Sequence, residues 1–272
     1  MKIMLRHKLG ILAVIAVAGI FGFCLYFYFT IPDVSWLKNQ NPTTTAMMQY
    51  KGDQHFSSSS LQLERSWIPL RNISPNLIKA VINAEDIKFF QHHGFDFHSL
   101  YIAIKLNFES GRIVKGGSTI TQQLAKNLYL KPSRTVVRKI REALITIHLE
   151  KKLKKERILE IYLNIIEWGP EIYGAESAAR YYFNKSATEL SLSESLRLAS
   201  VISNPIANNP LDDENSFLKL SQYRKFYRMF ERHWIDLRTF VQILGELNTP
   251  IPSEYATTLC RTLCFQQMVF LI

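Results

Sequence analysis

Residues 116–127 read Gly116-Gly117-Ser118-Thr119-Ile120-Thr121-Gln122-Gln123-Leu124-Ala125-Lys126-Asn127, and their polar and apolar residues are unusually ordered. Ser118, Gln122 and Lys126 recur every fourth residue and share one side of a helix, while Ile120, Leu124 and Leu128 share another. One side packs and the other faces a ligand or solvent. Ser118 is expected to cap this helix and Pro132 to stop it. Glycines before a helix leave backbone N–H groups available to an anion, although such a junction also occurs with no ligand at all.

The helical period continues in both directions. Upstream, Ser74-Pro75 supplies a cap and a first-turn proline, and Leu77, Ile78, Val81 and Ile82 predict a helix running past Glu85. Gly111 to Gly117 breaks the pattern. Downstream, Val137, Ile140, Leu144 and Ile147 keep the spacing, as do Ile158, Leu159, Tyr162, Leu163 and Ile166 before Gly169. No comparably long alternating strand pattern occurs, so the expected class is mainly α with one core and no internal repeat.

The N-terminus bears on compartment. Leu9 to Ile31 lacks Asp, Glu, Lys, Arg and His, and a bilayer core needs about 20 helical residues. Lys2, Arg6 and Lys8 precede this run, which predicts a cytoplasmic N-terminus and an external remainder. A signal peptide cleaved after Ala16-Val17-Ala18 is the rival reading, but the apolar run continues through Phe21, Leu25 and Phe29. The expected organisation is a cytoplasmic N-terminus (1–8), a transmembrane anchor (9–31), a Ser/Thr/Asn/Gln-rich stalk (32–70), one domain (71–245) and a tail of unassigned role (246–272).

The formal net charge of +10 favours phosphate-bearing partners without choosing among nucleic acid, lipid headgroups and a diphosphate substrate. Between Arg112 and Arg157 thirteen Lys or Arg face three Glu, which is dense for a solvated surface and suits a diphosphate. Lys151, Lys152, Lys154 and Lys155 read first as a solvated face, with anionic headgroups as the alternative. Glu85-Asp86 lies before Phe89-Phe90, His92, His93, Gly94 and Asp96. A Glu beside aromatics suits proton transfer, and a solvated helix end is the plain alternative. The histidines lack metalloprotease spacing, and Cys24, Cys260 and Cys264 make neither a disulfide framework nor a zinc site. No protein-bound metal is expected.

Taken together, these motifs resemble the glycosyltransferases that polymerise lipid II, found alone or at the front of bifunctional penicillin-binding proteins. The resemblance covers about Leu77 to Pro205. It rests on Glu85-Asp86 through His92, Gly94 and Asp96, then the Gly116 to Asn127 string, then Arg138-Lys139 with Glu142. Ile158 to Asn164, Gly169, Tyr173-Gly174, Tyr182-Phe183, Glu194 and Pro205 follow in order. It implies a lysozyme-like domain of two lobes, the smaller embedded in the membrane, with a cleft for donor and acceptor. It further implies that Glu85 is the general base for an inverting transfer that forms β-1,4-linked glycan and releases the polyprenyl diphosphate.

By the same resemblance Lys126, Arg134, Arg138 and Lys139 stabilise the diphosphate, with or without a divalent cation, magnesium or manganese, and with no organic cofactor. Glu142 matches the second glutamate of the family, which orients a cation, the substrate or the leaving group. Ser118, Thr119, Gln122 and Gln123 contact substrate or shape the cleft. The implied partners are lipid II, the growing strand, the cytoplasmic membrane and other cell-wall synthesis and division proteins, with no nucleic acid.

Other classes fit less well. Ser216 and Lys219 form a Ser-x-x-Lys, but no Lys-Thr-Gly follows and too little chain remains for a transpeptidase. A glycan-cleaving enzyme shares the glutamate but gives no use to a diphosphate-binding set. A non-enzymatic anchor or a nucleic-acid binder rests on charge alone.

Overall fold

The computed structural model describes residues 2–54, 66–112, 116–212 and 214–247. It is mainly helical, as the periodicity predicts. Helix α1 (Lys2–Thr30) leads through a short 3-10 turn at Ser35–Lys38 to α2 (Ala46–Gln54). After a second 3-10 turn at Leu70–Asn72 come α3 (Pro75–Glu85), α4 (Phe97–Ser110), α5 (Ile120–Tyr129), α6 (Val136–Lys152) and α7 (Lys155–Ile165). An irregular antiparallel hairpin, β1 (Glu167–Gly169) and β2 (Ile172–Tyr173), leads to α8 (Ala175–Phe183). Helices α9 (Leu192–Val201), α10 (Ser216–Glu231) and α11 (Leu237–Leu247) complete the described chain.

Local chemistry sets the helix ends. Ser74 accepts from Asn76 N–H and donates its hydroxyl to Leu190 O at 2.8 Å, so one residue both caps α3 and ties it to the approach to α9. Helix α3 ends at Glu85 instead of running past it. Asp86 leaves helical geometry (φ −158°, ψ 77°), and its carboxylate serves another helix. The cap of α5 is Thr119, one residue beyond the expected Ser118. Thr119 Oγ1 accepts from Gln122 N–H while Gln122 Oε1 accepts from Thr119 N–H, a reciprocal pair. The helix stops at Tyr129, ahead of Pro132.

Packing places the site. Helix α3 lies against α9, α5 against α6 and α7, and α10 against α9 and α3. Leu77, Val81, Ile120, Leu124, Leu149, Leu159, Tyr162 and Trp168 fill the core between them with essentially no exposure. Gly117 lets the loop before α5 cross α4, since a Cβ there would lie 3.1 Å from Leu100 Cα. Gly174 has φ +89° and lies so close to Asn164 O that a Cβ would approach within 2.9 Å.

The stretch expected to be a stalk is engaged over much of its described length. Helix α2 packs on α5, Lys51 pairs with Glu167, and Arg157 donates to Leu37 O, Gln40 O and Asn41 Oδ1. Ile68 exchanges backbone bonds of 2.9 and 2.8 Å with the Asn164 amide. Residues 55–65 and 248–272, with Cys260 and Cys264, lie outside the described residues, as does the Cys24 side chain.

Helix α1 carries exposed apolar side chains, among them Ile11, Val14, Ile15, Val17, Ile20 and Phe21, and near its end Phe27 is buried and the Tyr26 hydroxyl accepts from Arg141 of α6. The side chains of 2–10, 12 and 13 lie outside the described residues. Among the described residues no helix is long and apolar enough to cross a membrane. The expected span at 9–31 therefore stands on sequence.

Candidate active site

The last residue of α3 and the second turn of α5 meet at one hydrogen bond. Gln123 Nε2 donates to Glu85 Oε2 at 2.8 Å, and Tyr162 of α7 donates its hydroxyl to Gln123 Oε1 at 2.9 Å. Burial, and then the charges of Glu85 and Asp86, push the Tyr162 phenol well above its ordinary value, so it remains a donor throughout the neutral range. The core thereby fixes Gln123, and Gln123 fixes one oxygen of Glu85.

Asp86 holds the other half of this junction. Its carboxylate accepts from Ile120 N–H at 3.0 Å and lies 2.9 Å from His92 Nε2. His92 Nδ1 accepts from Gly94 N–H at 3.1 Å, so the hydrogen resides on Nε2. Thr119 Oγ1 donates to Gly94 O at 2.7 Å, closing a network that presses the start of α5 against the end of α3. A carboxylate at a helix N-terminus also complements the helix dipole.

Two hollows meet at Gln123. The first, about 420 Å³, is lined by Glu85, Asp86, Asp96, Ser99, Ser118, Thr119 and Gln123, and on the far side by Ser203, Ser221, Lys225 and Arg228. The second, about 260 Å³, is lined by Gln123, Lys126, Asn127, Tyr173, Ser203 and the α2 residues Met47 and Lys51. Burial lowers the pKa of Lys126, while the charges of Glu142 and Glu85 oppose that shift. Glu142 itself is 3% exposed and bonded to Arg138 Nη1 at 2.6 Å and to Lys139 Nζ. The result is a cationic face spanning α5 and α6.

The expected site residues separate by position. Glu85, Ser118, Thr119 and Gln123 line the first hollow and Lys126 the second, beside the Arg138–Lys139–Glu142 cluster. Gln122 is buried in its cap bond and lines neither hollow, so its visible role is shaping α5. Arg134 is exposed on the loop between α5 and α6. Sequence reading missed Asn83, Ser203, Ser221, Lys225 and Arg228. Ser221, Lys225 and Arg228 stand at i, i+4 and i+7 on α10, a one-sided polar spacing that was available to be read.

Among the described residues no group of His, Cys, Asp and Glu could hold a metal ion. Glu142, the carboxylate nearest the cations, has both oxygens bonded, one to Arg138 and one to Lys139.

The transglycosylase family model matches residues 53–229. Three relatives, each named biosynthetic peptidoglycan transglycosylase, are similar over most of their length. The protein of Nitrosospira multiformis is 44% identical over 182 residues, covering 66% of this chain and 79% of the relative. That of Chromobacterium violaceum is 43% identical over 196 residues, 72% of this chain and 86% of the relative. That of Laribacter hongkongensis is 45% identical over 184 residues, 67% and 81% respectively. With the family model spanning most of the chain and these relatives covered over more than two thirds of their length, this chain belongs to the transglycosylase family.

Proposed function

We propose that this chain is a peptidoglycan glycosyltransferase that polymerises lipid II into β-1,4-linked strands. The observation that carries this reading is the division at Gln123, with a carboxylate on one side and a cationic face on the other. Glycosyl transfer from a diphosphate needs both, a base for the incoming hydroxyl and positive charge for the outgoing phosphate.

In this reading the acceptor sugar occupies the first hollow and presents its 4-hydroxyl to Glu85. As the proton passes to Glu85, the oxygen attacks the donor's anomeric carbon from the face opposite the diphosphate. The bond to the diphosphate breaks with its electron pair leaving on phosphate oxygen, which inverts the α-linkage to β. Lys126, Arg138 and Lys139 receive the growing charge, with Arg134 reaching from its loop. Glu142 fixes the geometry of Arg138 and Lys139. Magnesium or manganese, where the diphosphate carries it, arrives as part of the substrate.

A cleaving enzyme is disfavoured because the cations would have no leaving phosphate to stabilise. The membrane assignment draws on α1, whose described apolar side chains are widely exposed, and on α4, where Phe97, Tyr101, Ile104 and Phe108 are exposed on a helix that buries only Ala103 among its apolar residues. Both suit lipid better than water. A lysozyme-like two-lobed domain held by a single-pass anchor on the outer face of the cytoplasmic membrane accommodates them, with α4 in the smaller lobe.

The test is Glu85→Gln, which keeps the Gln123 contact sterically but removes the base. Polymerisation of labelled lipid II should fall by about two to four orders of magnitude while the fold survives. Near-normal turnover would remove Glu85 from its assigned role.

A further inference from the structure

Lys225 is a buried ammonium that the reaction outlined above does not use. It sits mid-helix on α10, is 8% exposed, and donates from Nζ to Ala199 O at 2.9 Å. None of the ion pairs among the described residues includes it. Its backbone carbonyl accepts from Asn83 Nδ2 at 2.6 Å, which locks this turn of α10 onto α3 two residues before Glu85. The same wall holds an acceptor, Asn83 Oδ1, that is buried and has no partner. Placing an ammonium and an unbonded amide oxygen in a protein interior is costly unless a partner completes them.

The surroundings indicate what that partner is. Lys225 lines the first hollow together with Glu85, Asp86 and Asp96, and between them stand the hydroxyls of Ser99, Ser203 and Ser221. Glu85, Asp86 and Asp96 outnumber the two cations of this hollow, Lys225 and Arg228, and disfavour a phosphate there, whereas the second hollow has Lys126, with Arg138 and Lys139 of α6 beside it, to attract one. Short hydroxyls, with one ammonium and one guanidinium set against three carboxylates, match the oxygens of an uncharged sugar. We propose that Lys225 is an acceptor-binding residue, its ammonium donating to a hydroxyl or acetamido oxygen of the acceptor sugar and so holding that sugar against Glu85. This inference rests on the functional reading above.

The charge of this group also varies near neutrality. Burial lowers Lys225 from the ordinary lysine value of 10.5 to about 8, the Glu85 charge opposing and the Arg228 charge reinforcing that shift. The other groups packed around it are accounted for: α3 and the α4 cap contribute Glu85, Asp86 and Asp96, and α9 contributes the Ala199 carbonyl. Helix α10 itself adds Arg224 and Arg228, and the Asp236 and Glu246 carboxylates line a separate hollow with His233. Below about pH 8 Lys225 is a charged donor; above it the proton is lost and the donor weakens.

The experiment measures lipid II polymerisation by the full chain, by Lys225→Met and by Lys225→Arg between pH 6.5 and 9.5. At pH 7 Lys225→Met should raise KM about tenfold, the loss of one charge-assisted hydrogen bond, with a much smaller change in kcat. The KM of the unaltered chain should rise as pH passes about 8. Lys225→Met should lack that rise, and Lys225→Arg should retain low KM through pH 9.5 because arginine stays charged. If Lys225→Met fails to fold, the comparison of the unaltered chain with Lys225→Arg at high pH carries the test. Polymer formation with KM values and pH profiles that coincide across the folded variants overturns this inference alone. Absence of polymer from the unaltered chain overturns the functional reading, and this inference with it.

Discussion

Asp86 offers the sharpest connection between local chemistry and the site. Asp86→Ala removes the acceptor for Ile120 N–H at 3.0 Å and for His92 Nε2 at 2.9 Å, in a position only 6% exposed. Each bond joins a donor to a carboxylate and is worth about 1.5–3 kcal/mol, and both donors stay buried without a partner. The two bonds serve one network and do not add fully, so the loss should be about 3–4 kcal/mol. For a domain of this size that corresponds to a fall in Tm of about 10 °C. His92→Ala, which removes one donor and keeps the Ile120 bond, should cost roughly half as much. Activity should fall further than stability implies, because Gln123 and Lys126 follow Ile120 on the same helix and move with its start. Thermal unfolding monitored by circular dichroism checks the first part and lipid II turnover at 20 °C the second. A Tm within 2 °C of the unaltered chain, with turnover intact, would refute the claim that Asp86 holds α5 against α3.

Two further outcomes follow from the geometry. Lys126→Ala should lower turnover at limiting lipid II by about tenfold or more, and Arg134→Ala, exposed on its loop, should lower it less; unchanged rates in both would move the diphosphate site elsewhere. Removing residues 1–22 should keep activity in detergent and reduce it in bilayers. Removing residues 1–31 should in addition destabilise the domain, since it deletes buried Phe27 and the Tyr26 hydroxyl that accepts from Arg141 at 2.8 Å; equal stability of the two truncations would contradict a docked helix end.

How much of this was legible in the sequence depended on range. The start of α3 at Ser74-Pro75 was readable because a cap and a first-turn proline act on their own helix. The cap of α5 fell on Thr119 because Gln122 stands three residues on and can return the bond, whereas the residue three beyond Ser118 is Thr121; that reciprocal spacing was in the sequence and could have chosen between them. The end of α3 at Glu85 was not readable, since it depends on Asp86 turning to serve Ile120, a partner 34 residues away. Lys51 was hidden for the same reason, while the spacing of Lys225 with Ser221 and Arg228 was readable and only the wall it joins was not. Lys51 lies in a polar stretch that looks like linker, and Lys225 lies among the buried Leu218, Tyr223, Phe226 and Tyr227 of α10. Only the packing of α2 on α5, and of α10 on α3 and α9, carries them to the hollows on either side of Gln123.

The central claim is that Glu85 and the cationic face act on the two ends of one displacement, with no water as the acceptor. Purified protein incubated with lipid II labelled in both sugar and lipid tests it directly, by following glycan length, linkage and released lipid together. The account predicts long β-1,4-linked glycan and one polyprenyl diphosphate released for each linkage formed. Single disaccharide units released with no new linkage, or shortening of glycan strands added in place of lipid II, would contradict it.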